Sequence, residues 1–220
     1  MRLKQLFLAL FILLSIMDVS IIMLDFKEAL WLPRSLSLIS IVLYGYYSIK
    51  DVPFSFWVLS FFIVSTGFLF SLDDYTLIGM LSLIGLRLSW TKLIFDINTK
   101  IDKTILLIAF AITTAMFGVI LYLLYTDSIF YYLSIATTLG LVLLLSTSFS
   151  LLTTKGMKFG NKEMIISIGI FILSDALSGS KKIAGTSLFY IILSVVLYNT
   201  AYYFLMRALI KNISRNRLNS

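Results

Sequence analysis

Residues 104–126 read TILLIAFAITTAMFGVILYLLYT, a stretch with no charged side chain and no proline. A helix of this length crosses the hydrocarbon core of a bilayer, which takes about 20 consecutive apolar residues. The apolar residues do not alternate with polar ones as they would in a strand of a membrane barrel. We therefore predict a transmembrane helix over residues 104–126.

Similar apolar runs lie on both sides of this stretch, separated by charged residues or proline. They predict eight transmembrane helices, at about residues 5–24, 34–49, 53–72, 75–95, 104–126, 128–153, 163–179 and 184–207. The connections are short, as at residues 50–53 and 73–74, so consecutive helices should be antiparallel neighbours. The fold class predicted is an all-α, polytopic membrane helix bundle, with residues 1–220 forming a single transmembrane domain.

The overall composition agrees with a membrane protein. Of 220 residues, 60% are hydrophobic and 13% charged, which is more apolar surface than a soluble core of this size buries. The net charge of +7 comes from basic residues in short loops and at the termini. Because they form no basic face or stripe, we exclude a nucleic-acid partner and relate them to topology and lipid contact. The N-terminal run has no small-residue cleavage site, so we interpret it as an uncleaved first helix.

The basic residues also predict the orientation, since basic loops resist translocation. Thirteen fall on one side and four on the other, with Arg87 inside the fourth helix. The first group is Arg2, Lys4, Lys50, Lys92, Lys100, Lys103, Lys155, Lys158, Lys162, Arg207, Lys211, Arg215 and Arg217; the second is Lys27, Arg34, Lys181 and Lys182. Both termini should therefore be cytoplasmic, and the pattern favours a bacterial plasma membrane.

Cysteine and histidine are both absent from the chain. This excludes Ser-His-Asp and Cys-His catalysis and most zinc sites. Any chemistry must use Asp, Glu, Ser, Tyr, Lys or Arg, and we expect no metal and no cofactor. The sequence leaves the oligomeric state open.

Charged groups within a bilayer cost at least about 2.5 kcal/mol to insert, so those inside the predicted helices are candidate functional residues. Asp175 is either an interfacial carboxylate paired with Lys181 or Lys182, or a buried acid that serves as a proton donor. Arg87 either extends to the membrane surface or binds a carboxylate or a lipid phosphate. Asp18 should be interfacial.

Two further features have both a structural and a functional interpretation. Asp73 and Asp74 form either a plain outer turn or a carboxylate group beside Asp175. Tyr198 and Asn199 either hold two helices together or line a polar cavity, because a buried amide in lipid needs a partner.

Three segments, which read GMLSLIGLRLSW at residues 79–90, GIFILSDAL at 169–177 and YNTAYYFL at 198–205, are similar to segments of the YhhN-like family of transmembrane lysoplasmalogenases. Residues 169–177, GIFILSDAL, resemble the G-x-x-x-x-SD segment of its seventh helix, with Ser174 and Asp175 at the matching positions. Residues 79–90, GMLSLIGLRLSW, resemble its fourth-helix segment, with Arg87 where His is usual. Residues 198–205, YNTAYYFL, resemble its Y-x-x-A-Q segment, with Tyr202 in place of Gln.

The chain departs from this family at a Gly-Asp motif near the end of the third helix. If Gly67 takes the Gly position, Phe68 replaces the acid; if the turn is shortened, Asp73 or Asp74 takes its place. Loss of this acid would leave a related fold without the activity.

The resemblance implies hydrolysis of the vinyl-ether bond of a lysoplasmalogen, a membrane lysolipid, to a fatty aldehyde and a glycerophospho head group. One acidic carboxyl group and one water-activating carboxylate suffice for this reaction. The resemblance assigns these roles to Asp175 with Asp74 or Asp73, and substrate binding to Arg87, Ser174, Tyr198 and Asn199. Two alternatives are a catalytically silent, lipid-binding relative and a small membrane transporter.

Overall fold

The computed structural model describes residues 3–72, 75–97, 101–123, 125, 127–153, 159–184 and 187–216. Within these ranges the chain forms eight α-helices, one 3-10 turn at Lys27–Ala29 and no strand. The helices are α1 (Leu3–Met23), α2 (Trp31–Ser48), α3 (Phe54–Leu69), α4 (Thr76–Ile97), α5 (Lys103–Leu123), α6 (Ile129–Thr153), α7 (Phe159–Ala184) and α8 (Leu188–Asn216). The prediction of an all-helical bundle is confirmed for these residues.

Five of the described helices are long and apolar enough to cross a membrane. They contain the spans Leu3–Met23, Thr76–Ile97, Lys103–Tyr122, Ile129–Leu152 and Leu188–Ile213. The apolar helix Phe54–Leu69 is shorter than these. Length and composition therefore indicate a multi-pass membrane protein built from a helical bundle.

Local sequence explains where several helices begin and end. The Asp102 carboxylate accepts backbone N–H groups of Thr104 and Ile105 at 3.0 and 3.2 Å, which caps the first turn of α5. The Ser128 hydroxyl accepts the N–H of Tyr131 at 3.2 Å and caps α6 in the same way. Asp25, at φ 57°, adopts the left-handed conformation that commonly follows a helix C-terminus and ends α1.

The described helices divide into two compact units. The first contains Met1–Asp51 and Lys158–Ser220, and the second contains Val52–Met157. In the first unit, α1 packs against α2 and α7 against α8, while α8 also contacts α1 and α2. The Ser15 and Ser37 hydroxyls, 3.0 Å apart, join α1 to α2. The first and last pairs of helices in the chain thus form one unit.

The second unit is built from the hairpins α3–α4 and α5–α6, joined by contacts of α4 with α6. The Thr66 and Ser82 hydroxyls lie 2.9 Å apart and link α3 to α4. At Gly85 an added Cβ would lie 2.2 Å from the Phe62 ring, so the two helices approach closely because glycine has no side chain. Trp90 of α4 is fully buried.

A second close approach, at Gly160, holds α7 against α8 in the first unit. A Cβ there would lie 2.6 Å from Asn212 Oδ1 and 2.8 Å from the Ala208 carbonyl oxygen. The Asn212 amide donates to Asn161 Oδ1 at 3.3 Å, and both asparagines are buried. Since one of the obstructing atoms belongs to the backbone, a side chain at this position must push the helices apart.

We predict that Gly160→Ala lowers the free energy of unfolding by about 1–3 kcal/mol, the usual cost of overpacking a tight contact. The measurement is thermal unfolding of the purified protein in detergent. Gly169→Ala in the same helix is the control, because no atom lies within 4 Å of a Cβ at that site. Equal unfolding temperatures for the two variants would contradict the packing described here.

Candidate functional site

Two serine side chains set the alignment of α7 with α8. The Ser167 hydroxyl donates to the carbonyl of Ala201, and the Ser174 hydroxyl donates to the carbonyl of Ser194 at 2.8 Å. Both serines are buried. Ser174 lies seven residues after Ser167 on α7, and its acceptor Ser194 lies seven residues before Ala201 on α8. The two helices are therefore antiparallel, with serines as polar links between them.

An aromatic group fills the space between these two links. Tyr198 and Tyr202 meet edge to face with ring centroids 4.6 Å apart. Phe171 of α7 contacts both, at 5.8 Å from Tyr198 and 6.2 Å from Tyr202. Phe171 and Tyr202 are fully buried. The arrangement is typical of packed aromatic pairs and gives this part of the hairpin a fixed shape.

The four predicted site residues of α7 and α8 lie in this part of the hairpin. Ser174 is bonded to α8, and Asp175 follows it and is partly buried. Tyr198 lies one helical turn after Ser194, which accepts the Ser174 hydroxyl. The next residue, Asn199, is buried. The structure therefore brings Asp175, Ser174, Tyr198 and Asn199 within one or two turns of one another.

Arg87 belongs to the second unit, on α4. Its side chain is buried, with 5% of the residue exposed, and Nη1 donates to the carbonyl of Thr137 on α6. A Cβ at Gly140 would lie 3.3 Å from Arg87 Cβ and 3.5 Å from its Cδ, so the arginine stem passes directly over this glycine. The guanidinium is therefore enclosed by protein, and the interpretation that it extends to the membrane surface is wrong.

The remaining predicted site residues cannot be placed in this way. Asp73 and Asp74 lie outside the described residues, and so do the side chains of Lys181 and Lys182. Pairing of Asp175 with any of them stays a prediction. Within the described ranges, no group of three or more His, Cys, Asp or Glu side chains is arranged to hold a metal ion.

Asp18 is enclosed by protein and paired with a cation, whereas its interfacial position stays a prediction. It is 1% exposed, and its two oxygens accept Nε and Nη2 of Arg34 at 3.1 and 3.2 Å. The second helix predicted from the sequence starts at residue 34, which puts Arg34 at the edge of an outer loop. The helix begins at Trp31, since proline is tolerated in a first turn, and Arg34 faces α1. Asp18 and Arg34 lie at similar distances in sequence from the turn at Asp25. Because the two helices are joined by this turn, the similar spacing could have predicted that the two side chains meet.

We predict that Arg34→Met destabilises the protein by about 3–5 kcal/mol, because it leaves the Asp18 carboxylate buried without its cation. The double variant Asp18→Leu with Arg34→Met should recover most of this loss, since it removes both charges from the buried site. Unfolding in detergent, analysed as a double-mutant cycle, measures the coupling. Additive losses in the double variant would show that the two side chains do not interact.

Comparison with protein-family models, with curated proteins and with solved structures finds no match for this chain. The resemblance to the YhhN-like family therefore stays a prediction that rests on the three sequence segments.

Proposed function

We propose that this chain is a lysoplasmalogenase-like membrane hydrolase that cleaves the vinyl-ether bond of lysoplasmalogen-type lipids. The observation that supports the proposal best is the position of Asp175. It follows a serine fixed to the α8 backbone and lies on the same hairpin segment as Tyr198 and Asn199. A partly buried carboxyl group, next in the chain to a serine that is bonded across the hairpin, suits proton transfer to an apolar lipid.

In the proposed reaction, the Asp175 carboxyl group donates a proton to the vinyl carbon distal to the ether oxygen. The resulting oxocarbenium ion is captured by water, which loses its proton to a second carboxylate, Asp74 or Asp73. The hemiacetal then breaks down to a fatty aldehyde and the glycerophospho head group. Tyr198, Asn199 and Arg87 keep the substrate-binding roles that the resemblance gives them.

The same proposal includes the membrane arrangement predicted from the sequence. All eight helices cross the membrane, both termini are cytoplasmic, and the membrane is a bacterial plasma membrane. Helices α2, α3 and α7 are then spans as well, in addition to the five that length and composition support.

This topology predicts the labelling of two single-cysteine variants, which the chain allows because it has no cysteine of its own. Glu28→Cys, before α2, should react with a membrane-impermeant maleimide in intact cells. Lys50→Cys, after α2, should react only once the membrane is permeabilised. Both positions are exposed in the structure. Labelling of both variants in intact cells would show that α2 does not cross the membrane.

A second candidate is a catalytically silent, lipid-binding relative. The observation that favours it is that two of the predicted substrate-binding residues, Ser174 and Arg87, form hydrogen bonds to neighbouring helices. The Ser174 hydroxyl is directed to the Ser194 carbonyl, and an Arg87 guanidinium nitrogen to the Thr137 carbonyl. Both contacts stabilise helix packing, which is a sufficient reason for these residues to be present.

We predict that Asp175→Asn reduces aldehyde release by about 10²–10⁴-fold, the typical contribution of a general acid. The measurement is aldehyde released from lysoplasmalogen by the purified protein in detergent. Asp127→Asn is the control, since Asp127 is an exposed acid before α6. Full activity in Asp175→Asn would refute the assignment of Asp175. Binding of the lysolipid without aldehyde release from the wild type would support the silent relative.

A further inference from the structure

A second polar cluster lies where α7 begins and α8 ends. We call it the basic cluster, and it consists of Glu163 on α7 with Tyr203, Arg207 and Lys211 on α8. One carboxylate oxygen of Glu163, Oε1, lies 2.6 Å from Lys211 Nζ and 3.2 Å from Arg207 Nη2. Because Arg207 and Lys211 are four residues apart, they lie on the same face of α8. A single carboxylate therefore holds two cations side by side.

Tyr203 extends this face by one more turn. Its hydroxyl lies 3.5 Å from Arg207 Nη1, and the guanidinium carbon lies 5.7 Å from the centre of its ring. Stacking of this kind fixes the plane of the guanidinium. One aromatic ring and two cations therefore follow one another at four-residue spacing along α8.

The cations of the basic cluster are more exposed than the anion. The side chains of Arg207 and Lys211 are 38% and 33% exposed, against 12% for Glu163. Two cations against one carboxylate leave one net positive charge, and the enclosed position of Glu163 makes the outer surface of the cluster positive. A surface of this kind attracts anions.

The position of the basic cluster along α8 indicates which anion it meets. The apolar span of this helix runs from Leu188 to Ile213, so Arg207 lies roughly 9 Å from its end at 1.5 Å per residue. Lys211 is closer still to that end, and in the sequence Arg215 continues the four-residue spacing. This is the level at which the hydrocarbon core gives way to lipid head groups, where long basic side chains and tyrosine are commonly found.

We propose that the basic cluster binds the phosphate of an anionic glycerophospholipid. Arg207 and Lys211 would share the phosphate oxygens through charge-assisted hydrogen bonds, and the Tyr203 ring would pack against the lipid glycerol. The Glu163 carboxylate binds the same two cations and therefore competes with the phosphate for them. Basic pockets between transmembrane helices are a known form of head-group recognition. The proposal does not depend on the hydrolase activity proposed above.

The helix frame beneath the basic cluster supports a preformed site. The buried pair Asn161 and Asn212 and the close contact at Gly160 hold the start of α7 firmly on α8. Glu163 lies within one turn of this contact and Lys211 directly precedes Asn212. A site held in this way needs little rearrangement when a lipid binds, which favours affinity.

The test is titration of the purified, full-length protein in a neutral detergent with phosphatidylglycerol and, separately, phosphatidylcholine. Thermal unfolding and native mass spectrometry report binding. Phosphatidylglycerol should stabilise the wild type and be retained by it, and phosphatidylcholine should do neither. Arg207→Gln and Lys211→Gln should each weaken phosphatidylglycerol binding about five-fold, the effect of one basic residue at an anionic surface. Arg207→Lys, which keeps the charge, should lose less.

Two further variants make the result specific. Glu163→Gln removes the negative charge and should strengthen phosphatidylglycerol binding, the opposite sign from the two basic substitutions. Lys92→Gln is the matched control, since Lys92 is an exposed cation paired with Asp96 on α4, and it should leave binding unchanged.

Three results would overturn the proposal. The first is equal stabilisation of the wild type by phosphatidylglycerol and phosphatidylcholine. The second is weaker phosphatidylglycerol binding in Glu163→Gln, which decides the question even if Arg207→Gln fails to fold. The third is binding of glycerol 3-phosphate as tight as that of phosphatidylglycerol, which would assign the cluster to a soluble phosphate compound.

Discussion

Hydrocarbon offers no hydrogen-bond partner, so a polar group within a membrane helix must find one inside the protein. The α7–α8 hairpin shows what this constraint produces. Ser167 and Ser174 donate to backbone carbonyls of α8, and Asn161 meets Asn212. These links fix one alignment of the two helices. The alignment in turn decides that Glu163 meets Arg207 and Lys211, and that Asp175 lies one to two turns from Tyr198 along the hairpin.

The same constraint accounts for the charged side chains buried elsewhere. Asp18 is enclosed with Arg34, and Arg87 reaches a backbone carbonyl across a glycine. A charge inside a membrane helix is a reasonable first sign of function. Here Asp18 and Arg87 have structural partners within their own unit. These partners are a sufficient reason for the burial of both charges.

The sequence predicted the helices well and their side-chain partners poorly, for one physical reason. Charges and proline interrupt apolar runs at the membrane boundary, so the interruptions mark helix ends to within a few residues. The rule is weakest for α8, which continues to Asn216 past the predicted end at residue 207, because a helix does not stop where its apolar face stops. The pairing of Asp18 with Arg34 depends on where α2 begins and on how α2 is rotated about its axis. A hydropathy pattern predicts neither of these.

The sequence also predicted part of the candidate site, because helix order alone brings some of its residues together. Adjacent antiparallel helices joined by a short turn bring residues at similar distances from that turn together. This relation places Ser174 and Asp175 on the same segment of the hairpin as Tyr198 and Asn199, within one or two helical turns of them. It gives no information about Asp73 and Asp74, which belong to another connection, or about the partner of Arg87. The paired carboxylates therefore remain a prediction from the family resemblance.

The two proposals made for the α7–α8 hairpin concern different lipids, because of the geometry of α7. From residue 163 to residue 175 the helix rises roughly 18 Å at 1.5 Å per residue. In a lysoplasmalogen the vinyl ether is only a few bonds from the phosphate. A lipid whose phosphate rests on Arg207 and Lys211 therefore cannot present its vinyl ether to Asp175. If both proposals hold, one end of the hairpin binds a lipid that is not consumed and the other end handles the substrate, so loss of the first should leave the chemistry at Asp175 intact.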